Sequence, residues 1–421
     1  MTMRSTLIAG MLFMPFAMFA QWTKLTSGTT KELKAVHFAS NTTGWVGGED
    51  GTIRKTTDGG TTWNALTLGT TKDVNSMFFI DANTGWVVGK DGMVRKTTDG
   101  GTTWVAQVSG TSNELSAVHF ADANNGISVG ENGTVISTID GGAHWTSHVS
   151  GHKPTDSENN NDNDNNNDNN NDNNNDDDEY RDLNDVQMMD ANTAYACGKE
   201  GVFIKSTNHG TTWTLQTSGT TSELASMHFP TAAKGYTCYK TGGVRHTNGS
   251  GSFTSVTATT SKDLHGVYFV SDSKGWVVGS EGRILLTTNS GNSWITQNIA
   301  TVTQDLYAVH FPSASAGYAV GKDGVIVRST GGEGGTTSIA ATGMPQFMVY
   351  PNPASDVLYI NAGTLTTTAD IRLVDVQGRT MKTAASNGGI ITMEMNDMPT
   401  GVYTALITCE GTVTPVRFVK K

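Results

Sequence analysis

A large aromatic residue returns about every 41 positions along most of this chain. Trp22, Trp63, Trp104 and Trp145 are evenly spaced, and after an Asn/Asp-rich insertion the period resumes at Trp213, Phe253 and Trp294. A fixed period of this length marks one supersecondary unit copied many times, and excludes a chain built around a single irregular core. Within 63–104 three apolar runs, VNSMFF, GWVVG and GMVRKTT, are separated by turn residues, and the segment after each Trp supplies a fourth. Four short strands per unit is the pattern of a β-propeller blade. A lone blade cannot bury both faces, whereas seven arranged radially can.

Seven units fit between Trp22 and residue 335. The last supplies only LYAVHF, GYAVG and GVIVRST, while QWTKLTSG at 21–28 is a Trp-led strand with no blade before it. The predicted fold is therefore all-β: a seven-bladed propeller over 21–335, closed by its N-terminal strand, which removes a free sheet edge. Composition agrees, with 49 Gly and only 16% charged residues against helix-rich classes.

The turn before each Trp reads TTDGGTTW at 56–63 and 97–104, TIDGGAHW at 138–145, STNHGTTW at 206–213 and TTNSGNSW at 287–294. Asp58, Asp99, Asp140, Asn208 and Asn289 are predicted to accept turn N–H groups, with Trp63, Trp104, Trp145, Trp213 and Trp294 covering the turns. Blades five (HTNGSGSF) and seven (RSTGGEGG) depart from this pattern, and their turns are expected to be looser.

An acid stands thirteen residues before the aromatic position of each second strand: Glu32, Asp73, Glu114, Asp182, Glu223, Asp263 and Asp305. These carboxylates would ring one mouth of a central channel. Either each accepts backbone N–H groups of the neighbouring blade, or together they hold a cation or cationic peptide. Their oxygens suit Ca²⁺, although a wide ring does not bring ligands to the ~2.3–2.6 Å that ion requires. No other cofactor is indicated. His37, His119, His228 and His310 follow five residues after four of these acids, with Phe78, Gln187 and Tyr268 in the other blades. They read as core histidines packed between blades, not as a convergent zinc site. Cys197 and Cys238 replace Val in two second strands and read as buried thiols; with Cys409 they make an odd, widely spaced set, not a disulfide framework.

The flanking segments are different in kind. Residues 1–20 (MTMRSTLIAGMLFMPFAMFA) carry one Arg and a short apolar run, and read as a secretory signal peptide. No second apolar stretch long enough to span a bilayer follows. Residues 155–179 are almost wholly Asn and Asp, and are expected to be a disordered insert on the acid-ring face. Residues 155–180 hold ten of the 39 acids, so the net charge of −11 describes that segment and the remainder is nearly neutral. No basic nucleic-acid footprint exists. A linker at 336–346 precedes a tail, 347–421, whose VYPNPASDVLYI, IRLVDVQGRTMKT, ITMEMNDMPTGVYTALIT and VRFVKK segments predict a small β-sandwich.

Two resemblances rest on these residues. The unit L-x-x-V-x-F…G-W-x-V-G-x-x-G-x-I-x-x-T-x-D-G-G-x-T-W resembles the Asp-box (BNR) repeats of the photosystem II stability and assembly factor family of seven-bladed propellers. That implies a scaffold binding assembly intermediates, not an enzyme. The family's arginine-rich surface is not clearly carried over: Arg54 and Arg95 share a repeat position, while Arg245, Arg283 and Arg328 are read at others. The tail resembles the type A C-terminal sorting domain of the type IX (Por) secretion system, through YPNP, D-x-x-G-R, M-x-x-G-V-Y and the basic last strand. That implies a Bacteroidota-like producer, export by the Sec and type IX machineries, and a secreted or surface protein that cannot be assembling a photosystem in a lumen. Three functions stay open: a binding or scaffold module for a protein or other macromolecule, a glycan-binding propeller, and a sialidase- or endoglucanase-like hydrolase. A monomer is expected.

Overall fold

A computed structural model describes residues 22–152, 180–247, 253–256, 260–329, 348–350, 354–361, 368–375, 377–386, 390–409 and 412–421. The expected signal peptide, Asn/Asp insert and linker lie outside these residues. The chain divides into two compact units, Phe19–Gly332 and one containing Glu333–Lys421.

The first unit holds seven four-stranded antiparallel sheets. Blade one runs Leu33–Phe38, Gly44–Gly48, Ile53–Thr56 and Asn64–Ala65 from the inside outward, and the next five repeat this order. In the seventh, Leu306–Ser313, Ala316–Gly321 and Ile326–Ser329 are completed by Trp22–Leu25. Trp22 pairs with Ser329 and Leu25 with Ile326, as the orphan N-terminal strand required.

The blades cohere through seven apolar clusters, one at each blade interface. Most share one device. The Phe ending an inner strand stacks on the second-strand aromatic of the preceding blade, as in Phe79 on Trp45 at 3.6 Å and Phe269 on Tyr236 at 3.4 Å. Its edge meets the Trp of its own blade's turn, as in Phe79–Trp104 at 6.0 Å. Phe311 of blade seven meets Trp22 in the same way, at 5.9 Å, so the closing strand supplies the missing Trp. The interface between blades three and four lacks the aromatic pair, with Ile127 and Met188 in those places.

Glycine ends the second strand in six of the seven blades, with Tyr239 in that place in blade five. A Cβ on Gly48 would lie 1.8 Å from the Glu32 carbonyl oxygen, which accepts the Glu49 N–H at 3.0 Å. This close approach anchors the acid-bearing position of each inner strand to its own blade's following turn.

The second unit packs a three-stranded sheet (Met348–Tyr350, Val357–Asn361, Ile390–Glu394) against a four-stranded one (Thr380–Ser386, Ala369–Val374, Gly401–Cys409, Thr412–Lys420). Leu358, Ile360 and Met393 meet Ile371, Leu373, Ala405, Ile407 and Phe418 in one core, the predicted β-sandwich. No helix among the described residues is long and apolar enough to cross a membrane.

Candidate functional site

The inner strands present three successive levels to the central channel. The outermost is the acid ring, which divides by side-chain length. The four aspartates accept a backbone N–H from the preceding blade's turn: Asp73 from Asp50 at 3.0 Å, Asp182 from Asn132 at 2.9 Å, Asp263 from Thr241 at 3.0 Å and Asp305 from Glu281 at 2.9 Å. Each donor lies in the left-handed region, with φ between 52° and 80°. The longer glutamates reach a side chain on the preceding inner strand instead. Glu114 accepts from Asn75 at 2.7 Å and Glu223 from Asn184 at 3.1 Å, while Glu32 meets Tyr307. A single interaction repeated seven times is thus replaced by two. Lysines pair with Asp73, Asp182 and Glu223 at 3.1, 2.5 and 2.7 Å. Burial, and then the nearby Glu49, push the Glu32 carboxyl up. Among the described residues no three His, Cys, Asp or Glu side chains are placed to hold a metal ion.

Three residues inward the wall is small: Ala35, Ser76, Ala117, Ser226, Gly266 and Ala308, with Asp185 in blade four. Asp185 Oδ2 accepts from Met227 N at 2.8 Å and Ser226 Oγ at 3.0 Å, and Oδ1 accepts from Val186 N at 2.8 Å. Burial raises its carboxyl to about 6 despite these bonds. Ser76 ties blade two to blade three in the same way, through Val118 N at 3.3 Å, with a neutral hydroxyl. Asp185 is hidden in the sequence beside the more regular acidic column, and stands out as the only charged member only when the column three residues on is aligned.

Two further residues inward, His37, Phe78, His119, Gln187, His228, Tyr268 and His310 form a collar. Ring centroids are 4.6 Å apart for His310–His37, 5.0 Å for His37–Phe78, 4.6 Å for Phe78–His119, 4.1 Å for His228–Tyr268 and 5.1 Å for Tyr268–His310. The histidines line the channel and are buried against neighbouring blades, and His37 and His310 also meet each other. Ring closure makes blades one and seven neighbours, which brings His37 to His310. Met188 N donates to His119 Nδ1 and Phe269 N to His228 Nδ1, both at 3.3 Å. Burial lowers His37 and His228 to about 4 and, with neighbouring histidines, His119 to about 3, so all three are neutral near pH 7. A cavity of about 370 Å³ lies between mouth and collar, with Asp185 in its wall.

The Asp-box residues lie on the turns and hold them. Asp58 accepts from Thr56 Oγ1, Thr62 N and Thr62 Oγ1 at 2.8, 2.9 and 2.7 Å, which depresses it to about 2. Asp99 and Asp140 repeat this, with His144 replacing a threonine beside Asp140. Asn208 and Asn289 accept the matching N–H at 3.0 and 2.9 Å. Trp63, Trp104, Trp213 and Trp294 are buried over these turns and Trp145 is half-buried.

Arg245 requires a correction. It pairs with Thr237 as Arg54 pairs with Val46 and Arg95 with Val87, so three arginines share the position. Arg54 and Arg95 donate to the carbonyls of Gly28 and Gly69, at 2.5 and 3.0 Å. Arg245 was misplaced because the blade-five turn between Thr247 and Phe253 is one residue shorter than that between Thr56 and Trp63. Cys197 and Cys238 are buried free thiols, both pushed up first by burial and then by Asp185.

The family described as photosynthesis system II assembly factor YCF48 matches residues 14–109 and 245–330. The family described as secretion system C-terminal sorting domain matches 348–421. No curated protein matches the chain. Among solved structures, "YCF48 bound to D1 peptide" is similar with a TM-score of 0.60 at 18% identity, over 75% of this chain and 99% of that one. YCF48 from Cyanidioschyzon merolae gives 0.57 at 19%, over 74% and 98%. The WD40 β-propeller domain of Doa1 gives 0.57 at 11%, over 74% and 96%. Likeness at these identities establishes the propeller fold alone.

Proposed function

From a chain that joins a propeller of the photosystem II assembly factor type to a secretion-system sorting domain, we propose a secreted or cell-surface binding module without catalytic activity. The sorting domain addresses the chain to type IX export, and the propeller holds a protein segment at its acid-ringed mouth. The observation carrying this reading is what the mouth carboxylates do. The described contacts tie the ring acids to the preceding blade, and none stands as a free acid beside a free base. The collar histidines are neutral and buried, unsuited to general-acid work near pH 7. A similar propeller occurs bound to a peptide, which supports a peptide partner. Eight of the nine tryptophans are buried and Trp145 is half-buried, leaving no exposed indole platform for stacking sugars.

The test uses the full chain as bait on the producer's envelope and medium, with and without EDTA, beside hydrolysis assays on sialosides and β-glucans. Specific retention of a protein with no hydrolysis supports the reading. Release by EDTA would add a cation at the acid ring, and turnover of either glycan would overturn the non-catalytic assignment.

A further inference from the structure

The propeller's sevenfold pattern is broken at one charged position inside the channel, and that break has a chemical consequence. At the small-residue level the other blades place Ala, Ser or Gly, and blade two shows that one hydroxyl is enough to tie adjacent blades there. Blade four instead places a carboxylate in the wall of the 370 Å³ cavity. Its three hydrogen bonds come from neutral donors, two backbone N–H groups and Ser226 Oγ, so no bond within the described residues neutralises its charge. Oδ1 accepts only one of them and retains capacity for another donor. The other titratable groups facing the cavity are the four collar histidines, held neutral, the Tyr268 phenol, pushed up by burial, and Lys34, whose ammonium is engaged by Asp73 at 3.1 Å.

A second observation points the same way. Across the cavity, His310 Nδ1 is buried without a hydrogen-bond partner, whereas His119 and His228 each receive a backbone N–H from the next blade. The cavity thus holds a carboxylate with no cation, and one of the imidazoles in its wall has a buried Nδ1 with no donor. Its lining includes the rings of Phe78 and Tyr268, and its entrance is ringed by carboxylates. A ligand matching all of these brings N–H donors and positive charge on a narrow apolar stem.

We propose that the channel above the collar receives a single lysine side chain of an extended segment entering through the acid-ringed mouth, with Asp185 as its counter-ion. This rests on the peptide-binding reading above and specifies what that peptide must contain. The alkyl stem lies against Phe78 and Tyr268, and the ammonium donates to Asp185 Oδ1. A primary ammonium is favoured over a guanidinium because Oδ1 offers one acceptor direction, not the parallel pair that a guanidinium fork engages.

The test is calorimetric titration of the full chain with Gly-Lys-Gly and with its norleucine analogue, which keeps the stem and removes the charge. The Lys peptide is expected to bind at least tenfold more tightly. Asp185→Ala, which places in blade four what Ala35, Ala117 and Ala308 place in theirs, is expected to abolish that preference. Asp185→Asn serves as a second variant that keeps the carbonyl acceptor, and both are checked for native tryptophan fluorescence. Equal binding of the two peptides, or an undiminished Lys preference in both folded variants, overturns the proposal. Partner capture from the envelope is measured on the same preparations. Capture without lysine discrimination overturns this inference and leaves the binding reading standing; lysine discrimination without capture supports this inference and removes that reading.

Discussion

Acidification should unfold the propeller through its histidine collar, and the slope can be worked out from the structure. His37, His119 and His228 are held at about 4, 3 and 4 against an ordinary 6.5, and His310 is also lowered well below that value. Unfolding frees each imidazole to protonate at its ordinary pKa, so their stabilising contribution is whole above pH 6.5 and is lost as pH falls toward 4. Asp185 works in the opposite sense. Raised to about 6 from 3.8, it is protonated in the folded chain and ionised in the unfolded one between those values, which favours folding as pH drops. Counted for the collar and Asp185 alone, four imidazoles gain a proton on unfolding and one carboxyl loses one, a net uptake of about three near pH 5. At ~1.4 kcal/mol per proton per pH unit, stability falls by about 4 kcal/mol per unit. Over the window from pH 6.5 to 4 that is about 10 kcal/mol, comparable to the ~5–15 kcal/mol typical of a whole domain. All nine tryptophans lie between residues 22 and 294, so urea unfolding followed by tryptophan fluorescence at pH 7, 6, 5.5 and 5 reports the propeller alone. His119→Phe, which copies what blade two carries as Phe78, loses the bond from Met188 N and about 1–3 kcal/mol at pH 7. It should also lower the slope by one proton, to ~2.7 kcal/mol per unit. Stability that is flat between pH 7 and 5, or a slope unchanged in His119→Phe, would rule out the collar as the source of acid sensitivity.

Three further outcomes are expected. Trp22→Ala removes a buried indole from the closing strand and its hydrogen bond to Gln297 at 3.1 Å, and should lower stability by about 3–5 kcal/mol in urea titrations. Asp58→Asn should leave the melting temperature within a few degrees, because Asn208 and Asn289 hold equivalent turns, whereas Asp58→Ala, which removes every acceptor bond of that turn, should lower it further. Cys197 and Cys238, buried with their thiols pushed up, should resist a thiol reagent in the native protein and react only at the unfolding rate, read by peptide mapping.

The propeller was legible because its defining contacts repeat: a residue that packs between blades must recur at the blade period, and Trp63, Trp104 and Phe79 do. Closure was legible for the same reason, since Trp22 heads a strand with no blade before it. What lay hidden depends on angular position around the axis. His37 and His310 are 273 residues apart in sequence, and only closing the circle makes them touch. Asp185 is visible only when blades are compared column by column, and the two bonding modes of the acid ring follow from one methylene of side-chain length.

The strand that completes blade seven also sets the order of assembly. Trp22 pairs with Ser329, so the first strand of the ring must wait for its last, and the longest loop of the propeller closes only then. Until then, six finished blades and an incomplete seventh present an open edge at Ile326–Ser329. At high concentration that edge accepts the corresponding strand of a neighbouring chain as readily as its own. Two rings that exchange their first strands satisfy every hydrogen bond of the monomer. The feature that seals the ring is thus also a site for reciprocal strand exchange.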